Sequence, residues 1–374
     1  MPSHPSLLLV FSRFMSLSEW DRIGMFERET ALYRRLSGRG VRIGFLTYGG
    51  SEELSFASRL PDISIYPNHF GLSPRRYERL LPLLHAKAFW QADIVKTNQV
   101  SSVYAAMPGA RLWRRPLIAR QGFLPSDFAA RQHGAGSAQH LQEDRLERSL
   151  FDRARAITVT TQAMAVDIAQ RMPGHEKAIQ IVPNYVDTDM FAPNAAVLPE
   201  YDVLFVGRLT EQKNIPSLLM ALSTSRAKAL LIGNGPQAEL VKSAVSESQG
   251  RIEWRASVPN GDLPALMARS RLFILPSLWE GHPKTLLEAM ACGMAVIGAN
   301  SPGIQSEIEH GRTGWLCLPE PQAIAAAISH LLESGDLRNA LGSQARLRIL
   351  SDCSLDRVVE LELDVYHQLL KAPA

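Results

Sequence analysis

Short apolar runs rich in valine, isoleucine and leucine recur along the whole chain, and stretches of helix length separate them. A strand buried on both faces reads as such a run, and joining it to a parallel neighbour takes a crossover that is usually helical. The alternation therefore predicts an α/β protein with parallel sheets in both halves. Strands are expected at 7–11, 41–47, 63–66, 94–96, 116–119, 156–160 and 179–182, with a first crossover helix over 25–36. Further on, strands are expected at 203–206, 229–232, 252–254, 272–275 and 295–298, alternating with helices at 216–222, 237–248, 263–269 and 285–291. At 374 residues the chain exceeds what one hydrophobic core usually serves, so two domains and a cleft between them follow. The stretch 183–200 holds Pro183, Pro193 and Pro199 with little periodicity, which suits a linker. The expected division is 1–185, a linker over 186–200, 201–352, and a closing helix within 353–374 that packs back on the first domain.

Composition narrows the class. With 46% hydrophobic and 21% charged residues the chain is ordinary globular protein, without low-complexity tracts or repeats. The apolar run at 7–11 is too short for a signal sequence, and nothing approaches the roughly 20 apolar residues of a membrane span. A cytoplasmic protein is expected. Cys292, Cys317 and Cys353 are odd in number and far apart, which reads as reduced thiols rather than a disulfide framework. The ten histidines show no metal-ligand spacing, so no metal site is expected. Aromatics make up 7% and are scattered, which sets nucleic acid aside. Residues 1–190 carry 24 Lys+Arg against 18 Asp+Glu, and the remainder 16 against 19. The basic clusters Arg75, Arg76, Arg79 and Arg111, Arg114, Arg115 make an anionic membrane surface or a phosphorylated acceptor a candidate partner, against the plainer reading of a solvated arginine-rich surface.

The segment 272–288, LFILPSLWEGHPKTLLE, carries most of the chemistry. A buried strand ends in a turn and a helix begins at once, with Pro283 suited to its first turn. The N–H groups of Lys284, Thr285 and Leu286 are then expected to lack intrahelical partners and to form, with the positive end of the helix dipole, an anion site fit for a diphosphate. Glu280 and Glu288, separated by seven residues, bracket that helix start. A carboxylate only accepts hydrogen bonds, so its natural partners here are vicinal hydroxyls of a ribose or a hexose. At 206–214, VGRLTEQKN, a second strand ends in Gly207, followed by Arg208 and Lys213, two cations placed to neutralise a departing diphosphate.

On these stretches the chain resembles the retaining glycosyltransferases of GT-B fold known as family 4. The matching segments are VGRLTEQKNIPSLLMAL (206–222), LLIGNGP (230–236), PSLWEGHPKTLLEAMACGMAVIG (276–298), GRTGWLC (311–317) and VPNYVDTDMF (182–191). The resemblance implies two Rossmann-like domains facing across a cleft, an acceptor-side first domain and a second domain that binds a nucleotide-diphosphate sugar. It implies that Glu280 contacts the donor hexose, Glu288 the ribose, and Arg208 and Lys213 the diphosphate. Turn backbone over Gly281, His282, Pro283, Lys284, Thr285 and Leu286 completes the pocket. It further implies retention of configuration, no metal or other cofactor, and a glycan or lipid-linked acceptor, in polysaccharide or glycolipid assembly at the inner face of a membrane.

Two rival motifs deserve weighing. Asp187-Thr188-Asp189 has the spacing of a metal-binding acidic pair, but lies in the proline-rich stretch, where such residues usually close turns. Gly233-Asn234-Gly235-Pro236-Gln237-Ala238 follows a strand and precedes a helix, with Glu253 twenty residues after Gly233, the dinucleotide fingerprint of a nicotinamide enzyme. It falls on the second strand of its domain, so Gly233 and Gly235 are read as a tight turn flanking the donor pocket. A non-catalytic nucleotide-binding protein of the same fold is the remaining rival, against which the intact charged quartet argues. The first domain departs from the family: a Gly-Gly pair is absent after the first strand, leaving Gly24 as the phosphate-side candidate. Arg120 and Gln121 stand where a histidine is frequent, as acceptor-side candidates.

Overall fold

The computed structural model describes residues 4–175 and 178–371. The chain divides into two compact units, one running to Pro183 and resuming at Val358, the other spanning Asn184–Arg357. The first unit is built on β1 (Ser6–Val10), β2 (Arg42–Leu46), β3 (Ile63–Tyr66), β4 (Ile94–Thr97), β5 (Leu117–Gln121), β6 (Ala156–Val159) and β7 (Ile179–Ile181). The second holds β8 (Tyr201–Val206), β9 (Ala229–Ile232), β10 (Ile252–Arg255), β11 (Ser270–Leu275), β12 (Ala295–Ala299) and β13 (Trp315–Cys317). The sheets run β3-β2-β1-β4-β5-β6-β7 and β10-β9-β8-β11-β12-β13, parallel throughout. Register places Leu7 beside Ile43 and Ile94, and Phe273 beside Leu204 and Val296, so each central strand buries apolar residues on both faces. In both sheets the strand order reverses beside the first strand, between β1 and β4 and between β8 and β11, where doubly wound folds bind ligands at the strands' C-terminal ends.

The expected strands all form. The first crossover helix is Phe26–Gly38, and in the second unit the helices are Ile215–Ser225, Ala238–Glu247, Leu263–Ala268 and Lys284–Ala291. Strand β13 is an addition; its three half-buried residues at a sheet edge are too short a run to read as a strand. The stretch 186–200 is packed where a loose linker was expected. Val186 and Phe191 belong to the core of the second unit. The Val186 N–H donates to Cys353 O (2.8 Å), Val186 O accepts from Leu355 N–H (2.9 Å), and the Arg346 guanidinium donates to the carbonyls of Phe191 and Ala291. The closing helix Leu355–Lys371 joins the first unit from Val358 onward. There Glu362 forms a fully buried ion pair with Lys96 of β4.

Two further buried polar groups of the first unit have partners. The Glu53 carboxylate accepts from the N–H groups of Leu17 (2.7 Å) and Ser18 (2.9 Å), capping the helix Leu17–Arg22. His85, at the end of the helix Pro74–Leu84, shares a hydrogen bond between its Nε2 and the hydroxyl of buried Tyr77 (2.8 Å). Burial, with His69 nearby, holds the His85 pKa down at about 4, against an ordinary 6.5. Between those values the unfolded chain binds a proton that the folded one excludes. The stabilisation is complete above pH 6.5 and is lost as pH falls toward about 4. The urea midpoint of the full chain is expected to fall across that window, and His85→Gln to flatten part of the slope; identical slopes in the two proteins would refute this.

Candidate active site

Two loops leave the sheet of the second unit at its switch point, 207–214 after β8 and 276–283 after β11, and the chain ties them together. Leu278 N–H donates to Gln212 O (2.8 Å), and the Gln212 side-chain amide donates to Trp279 O (2.8 Å) and Glu280 Oε2 (3.4 Å). Asn214, in the left-handed conformation (φ 54°, ψ 43°), closes the first loop and sends its amide to Pro319 O (2.8 Å) and Pro276 O (3.3 Å). Asparagine is among the few residues with a side chain that visit that conformation routinely. The loop's own clue was therefore present in the sequence, but its two partners were not.

Within this frame Lys213 Nζ is bonded to Glu280 Oε1, and both side chains are largely buried. The cation expected on the diphosphate and the carboxylate expected on the hexose thus meet, and each holds the other in place. Arg208 is exposed, and its guanidinium has no partner among the described residues. Glu280 is fixed from behind as well: its N–H donates to Pro302 O (2.9 Å), and Gly303 lies so close that a Cβ there would come within 2.1 Å of Glu280 O.

The helix Lys284–Ala291 begins where the sequence placed it, with two corrections. Pro283 is the N-cap residue, in an extended conformation, rather than part of the first turn. The Leu286 N–H is not open, because Pro283 O accepts it at 3.1 Å in a tightened first turn. Thr285 N–H has no partner among the described residues and carries the positive end of the helix. Glu288 lies further in and is buried, with Oε1 accepting from Asn260 Nδ2 (3.0 Å) in the turn after β10. Burial and the Glu288 charge push the Cys292 thiol up to about 12, so that thiol is inert.

The His282 side chain is committed inward. Its Nδ1 accepts the Asn184 N–H (3.0 Å), which puts the ring proton on Nε2, facing Glu307 Oε2 at 3.3 Å. Asn184 Nδ2 donates back to His282 O (2.8 Å). The ring, buried and committed at both nitrogens, is a pin for the loop rather than an open donor contact. Burial raises the Glu307 pKa, but the bonds from His282 and Ser306 and the charge of Arg348 outweigh it and hold the group ionised.

Gly233 and Gly235 also have a structural use. A Cβ on Gly233 would lie 1.8 Å from Gly207 O, and one on Gly235 2.5 Å from Leu209 O, so the loop after β9 packs backbone to backbone on the loop after β8. The N–H of Gln237 donates to Leu209 O (2.9 Å) and that of Gly235 to Asn234 Oδ1 (2.8 Å), which occupies donors a dinucleotide would need. Asp187 Oδ1 accepts from the N–H groups of Asp189 and Met190 (both 3.2 Å), a turn closure and not a metal pair. Among the described residues no group of three His, Cys, Asp or Glu could hold a metal ion.

Gly24, Arg120 and Gln121 belong to the first unit. The Gly24 N–H donates to Asp21 O (2.9 Å) and the Met25 N–H to Trp20 O (2.7 Å), so its positive φ closes the helix Leu17–Arg22. Arg120 is the next-to-last residue of β5, with its N–H on Thr97 Oγ1 (2.9 Å). Gln121 is fully buried, and neither of its amide atoms has a protein partner among the described residues.

The family profile described as glycosyl transferases group 1 matches residues 186–348, and that of glycosyltransferase family 4 matches residues 30–190. The chain is 27% identical over 254 residues to an alpha-maltose-1-phosphate synthase of Mycolicibacterium smegmatis, covering 60% of this chain and 66% of that one. It is 28% identical over 213 residues to an N-acetyl-alpha-D-glucosaminyl L-malate synthase of Bacillus anthracis, covering 52% and 55%. The chain thus spans between about half and two thirds of the length of these relatives. Its fold matches a sucrose-phosphate synthase from Thermosynechococcus elongatus (TM-score 0.78, 19% identity, 99% of this chain and 100% of that one). It also matches Anabaena HepE solved with UDP and glucose (TM-score 0.74, 19% identity, 97% and 99%). The two profiles meet at the start of the second unit and together run from residue 30 to 348, and the chain belongs to the group 1, family 4 glycosyltransferases of GT-B fold.

Proposed function

We propose that the chain transfers a hexose from a nucleotide-diphosphate sugar to a glycan or lipid-linked acceptor, with retention of anomeric configuration and without a metal. The observation that carries the reading is the convergence at the β8/β11 switch point of the uncommitted Arg208, the Lys213–Glu280 pair and the start of the helix Lys284–Ala291. As the bond between the anomeric carbon and the diphosphate oxygen breaks, negative charge grows on the leaving group. Lys213 and the Thr285 N–H are positive groups fixed in advance for that charge, and Arg208 adds a cation whose charge is still unpaired among the described residues. Glu280 accepts hydrogen bonds from the donor hexose, and Glu288, held by Asn260, from the ribose. The structural neighbours solved with UDP and with UDP-glucose make uridine donors the first to try.

The test is incubation with uridine, guanosine and adenosine diphosphate sugars, with and without glycan and lipid-linked acceptors, following nucleoside diphosphate release. Release with one donor, lost in Glu280→Ala and unchanged by EDTA, is the expected result; an α-linked product from an α-linked donor supports retention. Calorimetric binding of a nucleoside diphosphate without turnover on any acceptor would make the chain a binding protein instead, and binding of NAD(H) a nicotinamide enzyme.

A further inference from the structure

Two arginine clusters far apart in sequence lie on neighbouring helices of the first unit, one toward each end of the pair. The helix Pro74–Leu84 carries Arg75, Arg76 and Arg79; the helix Val103–Leu112 and the turn after it carry Arg111, Arg114 and Arg115. The helices are held side by side. The Trp113 indole N–H donates to Pro82 O (2.8 Å) at one end, and at the other Arg13 bonds Glu78 (2.9 Å) and lies 4.8 Å over the Tyr104 ring. The short helix Ala86–Gln91 packs against them, with the Phe89 ring in the space above Gly109 and the Trp90 carbonyl accepting from the Arg115 guanidinium.

The resulting surface has an unusual mixture. Leu83 is 63% exposed, Trp90 61% and Leu112 54%, with Leu80 nearby at 43%. Across residues 73–92 and 103–116 the one acidic residue is Glu78, which is buried and paired with Arg13. Single exposed leucines are ordinary, but several large apolar side chains rimmed by uncompensated positive charge mark a site of interaction. A merely solvated basic face would have no use for Trp90 and three leucines in water. A bilayer interface uses all three kinds of group: arginine on lipid phosphate, indole at headgroup depth and leucine in the acyl boundary. We infer that this face of the first unit docks on an anionic lipid bilayer as a peripheral contact. The inference does not rest on the transfer reading, so either can fail alone.

The full chain is expected to sediment with vesicles of phosphatidylcholine and phosphatidylglycerol at low salt, to bind pure phosphatidylcholine vesicles at least about tenfold more weakly, and to detach at high salt. Arg111→Glu/Arg114→Glu is expected to weaken binding by on the order of tenfold or more. Leu83→Ser/Trp90→Ser should weaken it without shifting the urea midpoint, and brominated lipid should quench emission that Trp90→Phe removes. Absence of binding at low salt, equal binding to neutral vesicles, indifference to both double variants, or equally tight binding of duplex DNA or poly-glutamate would each overturn the inference.

Discussion

Lys213→Met is expected to leave the second unit folded and to lower turnover by about 10²–10³-fold, the usual cost of removing one preorganised charge-stabilising group. Lys213 is paired with Glu280, so its charge is in place but already matched. The diphosphate acquires its full leaving-group charge only as the sugar departs, and the lysine then gains a stronger partner. Its contribution therefore belongs to the transition state, so kcat should fall far more than KM rises. On the proposed reading Arg208, exposed and without a partner among the described residues, is the first cation the donor meets, and Arg208→Met should raise KM as well as lower kcat. Steady-state rates of nucleoside diphosphate release, alongside urea unfolding, separate these cases. An unchanged kcat in Lys213→Met would remove the lysine from the leaving-group site.

Glu362→Leu is expected to destabilise the protein by about 3–5 kcal/mol, because it strands the Lys96 charge in a dry core. Both side chains of this pair are almost fully buried, 1% and 2% exposed. Burial drives the Lys96 pKa down, and Glu362 only partly restores it. The double variant Lys96→Met/Glu362→Leu should recover most of the loss, since an apolar pair of similar volume carries no desolvation cost. Urea midpoints of the four proteins in the cycle measure the coupling. If Glu362→Leu alone costs nothing, the pair does not hold the closing helix.

The contrast between these two pairs explains how much could be read in advance. Central strands such as β1 and β11 bury both faces, so their residues advertise themselves, and the Gly207 and Pro276 loops follow from where those runs stop. Pairings across the sheet are another matter. Lys213 and Glu280 are 67 residues apart, and Lys96 and Glu362 are 266 apart. Only the adjacency of β8 and β11, or the return of the last helix, brings them together. Asn260 and Asn184 gave no signal beyond that of turn residues, yet one positions Glu288 and the other fixes His282. His282 itself was drawn to the site by its place in the chain, while its two nitrogens face inward. Gly233 and Gly235 fit a dinucleotide pattern because close backbone packing needs glycine whatever lies beyond it.

Gly303 touches no sugar in this scheme, yet the carbonyl of Glu280 rests where its missing side chain would be. A screen that scored only sugar transfer would therefore rank position 303 with the acid itself, and a reader of that screen would place a glycine among the catalytic groups. Variation at this point of the β12 loop is closed off by a residue one strand away, so attempts to retune the hexose contact have to begin from the floor beneath Glu280.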